Sequence, residues 1–219
     1  MKNKLVLNRR KFLHATSGVL LTGAALTVSG CELEEQVPIK AHCGMIMDAS
    51  KCIGCMACVA ACKSENNVPL GVSRTRVVDG EQGSYPNGNR IFKPELCNQC
   101  ENAPCIEPCP VGATFKNERG LVVIDQTKCI SCGLCVQACP YSARFIHKMA
   151  NSADKCDLCE KRRQQGLMPA CAEVCTTAAR IFGKVTDKDT KFAQLLKRSD
   201  LSVAKPELNT KPQIYYIGI

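Results

Sequence analysis

Sixteen of the eighteen cysteines in this 219-residue chain fall into four blocks of four, which limits the possible folds more than any other feature of the sequence. The blocks are Cys52-Cys55-Cys58-Cys62, Cys97-Cys100-Cys105-Cys109, Cys129-Cys132-Cys135-Cys139 and Cys156-Cys159-Cys171-Cys175. The third block reads C-x2-C-x2-C-x3-C-P, the first has the same spacing without the proline, and the second is a longer version that ends in Cys-Pro. Three cysteines two residues apart wrap a tight loop, and the fourth lies about one helical turn further on, facing away from it. The first and third blocks therefore predict a loop that presents three thiols to one site and a fourth to a neighbouring site.

This spacing is typical of chains that bind [4Fe–4S] clusters, in which the fourth cysteine of a run binds the other cluster of a pair. Small residues between the cysteines, such as Gly54, Ala57 and Gly133, let the backbone approach the cluster sulfurs closely. At four thiolates per cubane, the sixteen cysteines predict four [4Fe–4S] clusters, with no ligand missing and none in excess. Since no block has lost a cysteine, a three-iron cluster is not expected.

Zinc sites and disulfides are the alternative uses of these cysteines. Zinc sites usually contain pairs of cysteines, and the fourth block, with two pairs eleven residues apart, fits that pattern when taken alone. A disulfide framework fits an exported cysteine-rich chain, but such frameworks do not repeat one spacing. The three neighbouring blocks favour iron–sulfur clusters over both alternatives.

The composition predicts that iron–sulfur clusters replace much of a conventional core. Aromatic residues make up only 5% of the chain, and tryptophan is absent. Cubanes fill apolar volume and tie distant segments together, as structural metals do in small folds. We therefore expect that loss of the clusters unfolds the chain.

The formal net charge of +9 does not indicate nucleic-acid binding. Five of the 29 basic residues and none of the 20 acidic ones lie within residues 1–30, so residues 31–219 carry a net charge of +4. Each oxidised cubane with its four thiolates contributes about −2. The loaded protein is then net acidic, and no nucleic-acid partner is expected.

Residues 1–30 predict a twin-arginine signal peptide with a lipobox-like end. Asn8-Arg9-Arg10-Lys11-Phe12-Leu13 is followed by an apolar run from Ala15 to Ser29, which is short for a bilayer span. The twin-arginine route exports folded proteins, which suits a chain whose clusters are assembled in the cytoplasm. Val28-Ser29-Gly30-Cys31 resembles a lipobox, so Cys31 is a candidate for lipidation; the alternative is a cysteine that merely follows the hydrophobic region. The predicted location is the periplasmic side of the cytoplasmic membrane, with lipid anchoring left open.

The segments around the blocks form an internal repeat. Residues 110–115, 140–145 and 176–182 follow closing cysteines and read as a turn of small residues leading into a short strand. Residues 44–48 and 121–125 precede the first and third blocks and read as strands. The repeated unit of strand, cysteine loop, short helix and strand is half of a ferredoxin module.

Three further segments lie outside this repeat. Residues 66–89 are rich in Gly, Pro, Asn and Ser and read as an insertion with a strand at residues 75–78. Residues 189–199 place Phe192, Leu195 and Leu196 on one face of a predicted helix, which usually indicates packing. Residues 213–217 are strand-like and are predicted to extend a sheet edge or to pair with a partner.

The chain resembles the iron–sulfur electron-transfer subunits of the dimethyl sulfoxide reductase family of molybdoenzymes. The four blocks in order carry the resemblance, together with Ala153-Asp154-Lys155-Cys156 and Pro169-Ala170-Cys171, and it extends over residues 45–219. The ending of the chain, from Ala179-Arg180-Ile181-Phe182-Gly183 to Lys211-Pro212-Gln213-Ile214-Tyr215-Tyr216, is most similar to the subunits of tetrathionate reductases. The subunits of arsenate, polysulfide and formate-linked nitrite reductases are close behind.

The resemblance implies an α+β fold of two ferredoxin-like modules interleaved in the chain. A four-cluster domain at residues 45–188 contains both, and a helix-and-strand extension follows at residues 189–219. Blocks 52–62 and 156–175 form one module, and blocks 97–109 and 129–139 form the other. The implied ligand sets are Cys52, Cys55, Cys58 and Cys175; Cys156, Cys159, Cys171 and Cys62; Cys97, Cys100, Cys105 and Cys139; and Cys129, Cys132, Cys135 and Cys109. From the residues alone, pairing block one with two and block three with four stays open, as does the turn at Cys175-Thr176, where a proline would match the ferredoxin run.

The resemblance also implies a function without catalysis by this chain. The implied role is electron transfer from a polytopic quinol-oxidising membrane subunit to a molybdopterin-containing catalytic subunit. No acid–base pair or nucleophile is visible in the sequence, and no catalytic residue is assigned. The alternative is a free-standing periplasmic polyferredoxin. Four lysines beside the blocks are candidates to raise cluster potentials, or else are solvated surface residues: Lys63, Lys128, Lys155 and Lys161.

Overall fold

The computed structural model describes residues 43–187 and 190–219. The predicted signal peptide and Cys31 lie outside the described residues. The strands in the described part are β1 (Cys43–Asp48), β2 (Thr75–Gln82), β3 (Asn89–Leu96), β4 (Thr114–Lys116), β5 (Val122–Ile124), β6 (Arg144–His147), β7 (Ser152–Lys155), β8 (Arg180–Lys184), β9 (Ser202–Val203) and β10 (Ile214–Ile217). The helices are α1 (Ala57–Asn66), α2 (Leu134–Gln137), α3 (Glu160–Gln164), α4 (Ala170–Glu173) and α5 (Lys191–Leu196). This mixture of short helices and strands fits the predicted α+β class, and none of these helices has the length and hydrophobicity needed to cross a membrane.

A four-stranded sheet in the order β8-β1-β10-β9 joins the two ends of the described chain. β1 pairs antiparallel with β8 and parallel with β10, so Met45 lies opposite both Phe182 and Ile214. All six residues of β1 are buried, because strands flank it on both sides and other elements cover its faces. The predicted strands at residues 44–48 and 213–217 are confirmed. The tail strand, however, lies inside the sheet and not at its edge, because β9 pairs with its outer side.

The cysteine loops are flanked by two small antiparallel sheets, β4-β5 and β6-β7. They contain the strands predicted after the second and third blocks. Each has only three or four residue pairs and cannot be stable alone. The loops between these strands therefore depend on other interactions for their position.

The predicted insertion, residues 66–89, contains β2 and ends where β3 begins. The two strands form a hairpin of eight residues each, running from the pair Thr75–Leu96 to the pair Gln82–Asn89. The strand at residues 75–78 is confirmed and is longer than predicted. β3 was not predicted, because Pro94 and several charged residues interrupt its strand pattern. Most of β2 is exposed, so the hairpin projects from the rest of the fold.

Helix α5 packs on the four-stranded sheet through the face predicted from the sequence. Phe192 is 2% exposed and forms an apolar core with Ile46 and Ile217, against which Leu195 and Leu196 also pack. The Thr190 hydroxyl accepts a hydrogen bond of 3.2 Å from the N–H of Ala193 and caps the helix. Helix α5 thus buries Phe192 and Ala193 against the sheet and exposes Lys191 and Gln194 to solvent.

Replacing Gly183 by alanine is expected to destabilise the protein by about 1–3 kcal/mol, since a Cβ at this position would lie 2.3 Å from Cγ of the buried Phe192 ring. The melting temperature should fall by about 2–4 °C per kcal/mol, as measured by calorimetry. Gly80→Ala in the exposed hairpin is the control, because its Cβ would come no closer than 3.9 Å to Ile91. Equal melting temperatures for the two variants would contradict the packing of α5 on Gly183.

Candidate iron–sulfur sites

The four cysteine loops share one backbone conformation. In each loop the residue just before the second cysteine has a positive φ: +70° at Gly54, +46° at Gln99, +58° at Ser131 and +56° at Leu158. Three of these residues are not glycine and pay a conformational cost for this geometry. The same left-handed step in four loops indicates that they are built for the same kind of ligand.

The turns after the closing cysteines are also alike. Thr176 stands where the second and third blocks have proline, yet its turn has the same hydrogen bond as theirs. The turn N–H donates to the carbonyl of the closing cysteine from Gly112 to Cys109 at 3.2 Å, from Ser142 to Cys139 at 3.2 Å and from Ala178 to Cys175 at 3.0 Å. The proline is therefore dispensable for this turn.

Two cavities each bring together four thiols from two different blocks. One cavity, partly open to solvent, is lined by Cys97, Cys100, Cys105 and Cys139. A second one, also partly open, is lined by Cys109, Cys129, Cys132 and Cys135. In both, the fourth thiol comes from the closing cysteine of the other block, as in the implied ligand sets.

Blocks one and four meet in the other half of the fold. Burial, together with the charges of Cys171 and Cys159, raises the pKa of the Cys62 thiol to about 12. Burial also raises the pKa of Cys52, and the charges of Cys58 and Cys175 act in the same direction. The closing cysteine of each block thus lies beside thiols of the other block.

Backbone N–H groups are directed at several of the sulfurs. Burial alone would raise the pKa of Cys109, but hydrogen bonds from the N–H groups of Thr114 and Val111 outweigh it and lower the pKa. At Cys175, burial is likewise outweighed by hydrogen bonds, here from Thr177 and the following backbone. Iron binds the thiolate and not the thiol, so donors in these places favour the ligating form.

The donor set fits [4Fe–4S] clusters. The sixteen block cysteines are all free thiols, and the two cavities supply four sulfurs each. Four guanidinium nitrogens are buried without a hydrogen-bond partner in the described structure, and three of them belong to Arg144 (Nε and Nη2) and Arg180 (Nη1). The sulfurs of a bound cluster accept hydrogen bonds, so a cluster would supply the partners that these N–H groups lack. The residues present therefore suit the predicted cofactor, which would be held by the sixteen block cysteines.

Of the four lysines considered from the sequence, only Lys155 is buried, with its Nζ 3.0 Å from the carbonyl of Cys156. Lys63 donates to the carbonyl of Pro69 at 2.9 Å, and Lys128 is exposed and paired with Asp125.

Cys43 lies buried in β1, where its Sγ is 3.3 Å from Nη1 of Arg163, and the predicted sets do not include it.

Sequence reasoning missed the buried polar side chains around the thiols, of which Gln99 is one. Its amide donates to the Cys156 carbonyl at 2.8 Å and accepts from the Val122 N–H at 2.9 Å, so it joins the two halves of the fold. Arg144 and Arg180 were also missed. They stand at the same position of the repeat, five residues after a closing cysteine, which is the one signal that could have found them.

Arg74 links the hairpin to the fourth block. Its Nη2 lies 2.7 Å from the buried Asp154 carboxylate, and its Nη1 donates to Asn66 at 2.8 Å and lies 3.5 Å from Asp157. Burial lowers the pKa of the Arg74 guanidinium, but Asp154 outweighs it and raises the pKa. The positive charge of Arg74 is therefore fixed close to the segment of the chain that precedes Cys156.

Replacing Arg74 by leucine is expected to destabilise the loaded protein by about 3–5 kcal/mol, because the Asp154 carboxylate stays buried without its partner. Chemical denaturation under anaerobic conditions measures the loss. The double variant Arg74→Leu with Asp154→Asn should recover part of it, because the unpaired charge is gone. No recovery in the double variant would contradict the ion pair as the cause.

Comparison with known proteins identifies the same cofactor. Two family models described as "4Fe-4S dicluster domain" match residues 51–113 and 89–185, which together contain all four blocks. Two dicluster domains correspond to four [4Fe–4S] clusters and confirm the predicted cofactors and the two ferredoxin-like domains. Which cysteines share a cluster stays a prediction.

Similar proteins match nearly the whole chain. A tetrathionate reductase subunit of Salmonella typhimurium is 41% identical over 97% of this chain and 88% of that protein. Protein NrfC of Escherichia coli K12 is 39% identical over 96% and 95%. The corresponding tetrathionate reductase subunit of Archaeoglobus fulgidus is 47% identical over 80% and 81%.

Proposed function

Because this chain belongs to the family of four-cluster iron–sulfur electron-transfer subunits of the dimethyl sulfoxide reductase type, we propose that it conducts electrons between two partner subunits of a respiratory reductase. The proposed donor is a polytopic membrane subunit that oxidises quinol. The proposed acceptor is a molybdopterin-containing catalytic subunit. This chain itself is an electron-transfer subunit and not the catalytic one.

The observation that carries the proposal is the pair of similar cavities, each lined by four cysteines from two blocks. When bound, [4Fe–4S] clusters supply one-electron redox chemistry without a change of ligands. The cysteines hold the irons at fixed positions, and the surrounding N–H groups and charges set the potentials. These are the tasks of an electron conductor.

Electrostatic interactions and a hydrogen bond between the ligand sets support a linear order along the conductor. Arg180 lies beside Cys58 and Cys171, so it joins the set that contains Cys52 to the set that contains Cys62. Cys97 acts electrostatically on Cys156 and Gln99 bridges to it, which links the two modules. Arg144 lies beside both Cys105 and Cys135 and so joins the last two sets. The order proposed is therefore Cys52, Cys62, Cys97 and Cys109, naming one ligand of each set.

The two terminal sets reach the surface. Cys55 and Cys132 are exposed, in the first and third loops, and both belong to terminal sets. Next to them, Ile53 and Ile130 are 61% and 58% exposed, at equivalent positions of the repeat. We assign these two loops to the entry and exit of electrons, since a partner that packs on the isoleucines comes close to a ligand.

Tetrathionate or another sulfur compound is the proposed terminal acceptor of the complex, from the similarity to tetrathionate reductase subunits. The twin-arginine pattern supports a location on the periplasmic side of the cytoplasmic membrane, where lipidation at Cys31 would add an anchor.

Metal analysis of the tagged protein tests the proposal. After anaerobic purification from gently solubilised membranes, molybdenum should co-purify with about twenty irons, sixteen in this chain and four in a partner. The complex should then reduce tetrathionate with a quinol analogue as donor. About sixteen irons without molybdenum would instead indicate a free-standing polyferredoxin and contradict the complex.

A further inference from the structure

Two arginines occupy the same position in the internal repeat and the same place relative to the thiols. Arg144 follows Cys139 by five residues and begins β6, and Arg180 follows Cys175 by five residues and begins β8. Each is only 4% exposed. Burying a guanidinium is costly unless a counter-charge and acceptors lie nearby, so two equivalent buried arginines call for an explanation.

Each arginine has one hydrogen-bond partner of the same type. Nη1 of Arg144 donates to the Thr114 hydroxyl at 3.2 Å, and Nη2 of Arg180 donates to the Thr75 hydroxyl at 2.8 Å. In each case the threonine hydroxyl fixes the position of one guanidinium nitrogen. The remaining buried nitrogens, Nε and Nη2 of Arg144 and Nη1 of Arg180, make no hydrogen bond of normal geometry within the described residues. The Cys135 and Cys171 thiols, which are weak acceptors, lie close to the guanidinium groups of Arg144 and Arg180. The guanidinium groups are therefore held in place with free N–H groups.

The charges around Arg144 come from two different ligand sets. Burial lowers the pKa of its guanidinium, but the negative charges of Cys105, Cys97 and Cys135 outweigh burial and raise the pKa. Cys105 and Cys97 line the cavity that Arg144 also lines, whereas Cys135 lines the other one. Arg144 thus lies between the two ligand sets of one module.

Arg180 has the equivalent place in the other module. Burial lowers the pKa of its guanidinium, and the charges of Cys171, Cys58 and Cys156 outweigh burial and raise the pKa. Cys171 and Cys156 belong to one predicted set and Cys58 belongs to the other. The repeat in the sequence therefore places one fixed positive charge between the two ligand sets of each module.

We propose that Arg144 and Arg180 each direct N–H groups at the sulfurs of the two clusters in their module and hold the reduction potentials of that pair above the values the cysteines alone would give. One-electron reduction adds a negative charge, and a fixed guanidinium with free donors stabilises it in a site of low dielectric. One residue then acts on two neighbouring potentials at once and keeps them close together, which favours transfer between them. This inference rests on the proposed ligand sets.

Redox titration followed by electron paramagnetic resonance tests the proposal on the full-length, cluster-loaded protein. In Arg144→Gln, the equilibrium constant for reduction should fall at least tenfold for two of the four clusters, a shift of about 59 mV for one electron. In Arg180→Gln, the other two clusters should shift. Arg144→Lys and Arg180→Lys keep the charge and should shift by less than half as much. Arg198→Gln is the control, since Arg198 pairs with Asp200 at the surface.

Unchanged potentials in fully loaded Gln variants would overturn the proposal, as would a shift of all four clusters by a single variant. If a Gln variant loses iron and its Lys variant keeps both iron and near-native potentials, the charge is the essential feature and the proposal stands. Loss of iron in both would assign the arginine to folding and overturn it. The ligand sets are tested separately: Cys139→Ala and Cys100→Ala should lose the same cluster, whereas a count of four clusters would fit either pairing of blocks.

Discussion

Removal of iron from the folded protein is expected to abolish its cooperative thermal transition. The main apolar core contains buried ligand cysteines among its members, including Cys58, Cys97, Cys156 and Cys171. Without iron, these thiols enclose space that no side chain fills. The buried segments around them are then no longer cross-linked by metal. Because the metal site does not exist in the unfolded chain, the free energy of metal binding is also free energy of folding.

The elements around the sites are too small to remain folded alone. Helices α2 and α4 have four residues each, far below the length at which an isolated helix is stable. The sheets β4-β5 and β6-β7 have two strands each. The strained left-handed residues Gln99, Ser131 and Leu158 and the buried arginines add costs that bound clusters offset. We therefore expect none of these elements to stay folded without the clusters.

Anaerobic chelation followed by near-ultraviolet circular dichroism and calorimetry measures the effect. The iron-free chain should lose its near-ultraviolet signal and its heat-absorption peak. Cys43→Ala is the matched control, because Cys43 is a buried cysteine outside the predicted sets, and this variant should keep all sixteen irons and its transition. An iron-free chain with a cooperative transition near that of the loaded protein would contradict the prediction.

The elements nearest the cysteines could be predicted because their signals are local. The spacing of each block, the strands at residues 44–48 and 121–125 and the short strand expected within residues 176–182 depend on a few consecutive residues, and the structure has a strand at each of these places. The buried face of α5 could also be predicted, because Phe192 and Leu195 are separated by about one helical turn. For such segments, pattern and structure agree because neighbours in the chain decide the conformation.

The remaining features depend on residues distant in the chain. The turn after Cys175 keeps its geometry without proline because the surrounding strands define it, and β10 lies inside the sheet because β9 pairs with its outer side. The roles of Gln99, Arg144 and Arg180 depend on their burial, which no pattern of polar residues shows. The sequence thus predicted which residues carry the chemistry, but not the polar side chains that surround them.

Replacing Cys139 by alanine is expected to damage the same cluster as replacing Cys100, although the two cysteines belong to different blocks. Both thiols line the same cavity. Each variant should lose, or convert, one cluster of the four, up to about four of sixteen irons. The same electron paramagnetic resonance signal should disappear from both. The reciprocal pair is Cys109→Ala and Cys132→Ala, which should both remove a second, different signal.

The result decides between the two pairings of blocks that the spacing allows. If block three paired with block four instead, the Cys139 thiol would serve the cluster of Cys156, Cys159 and Cys171. The signal lost in Cys139→Ala would then match that of Cys171→Ala and not that of Cys100→Ala. A closing cysteine that crosses between blocks two and three makes each module a closed unit of two clusters, which is the arrangement in which a single buried arginine can act on both. The ligand exchange and the shared guanidinium are thus consequences of one repeat, and a match between Cys139→Ala and Cys171→Ala would contradict both.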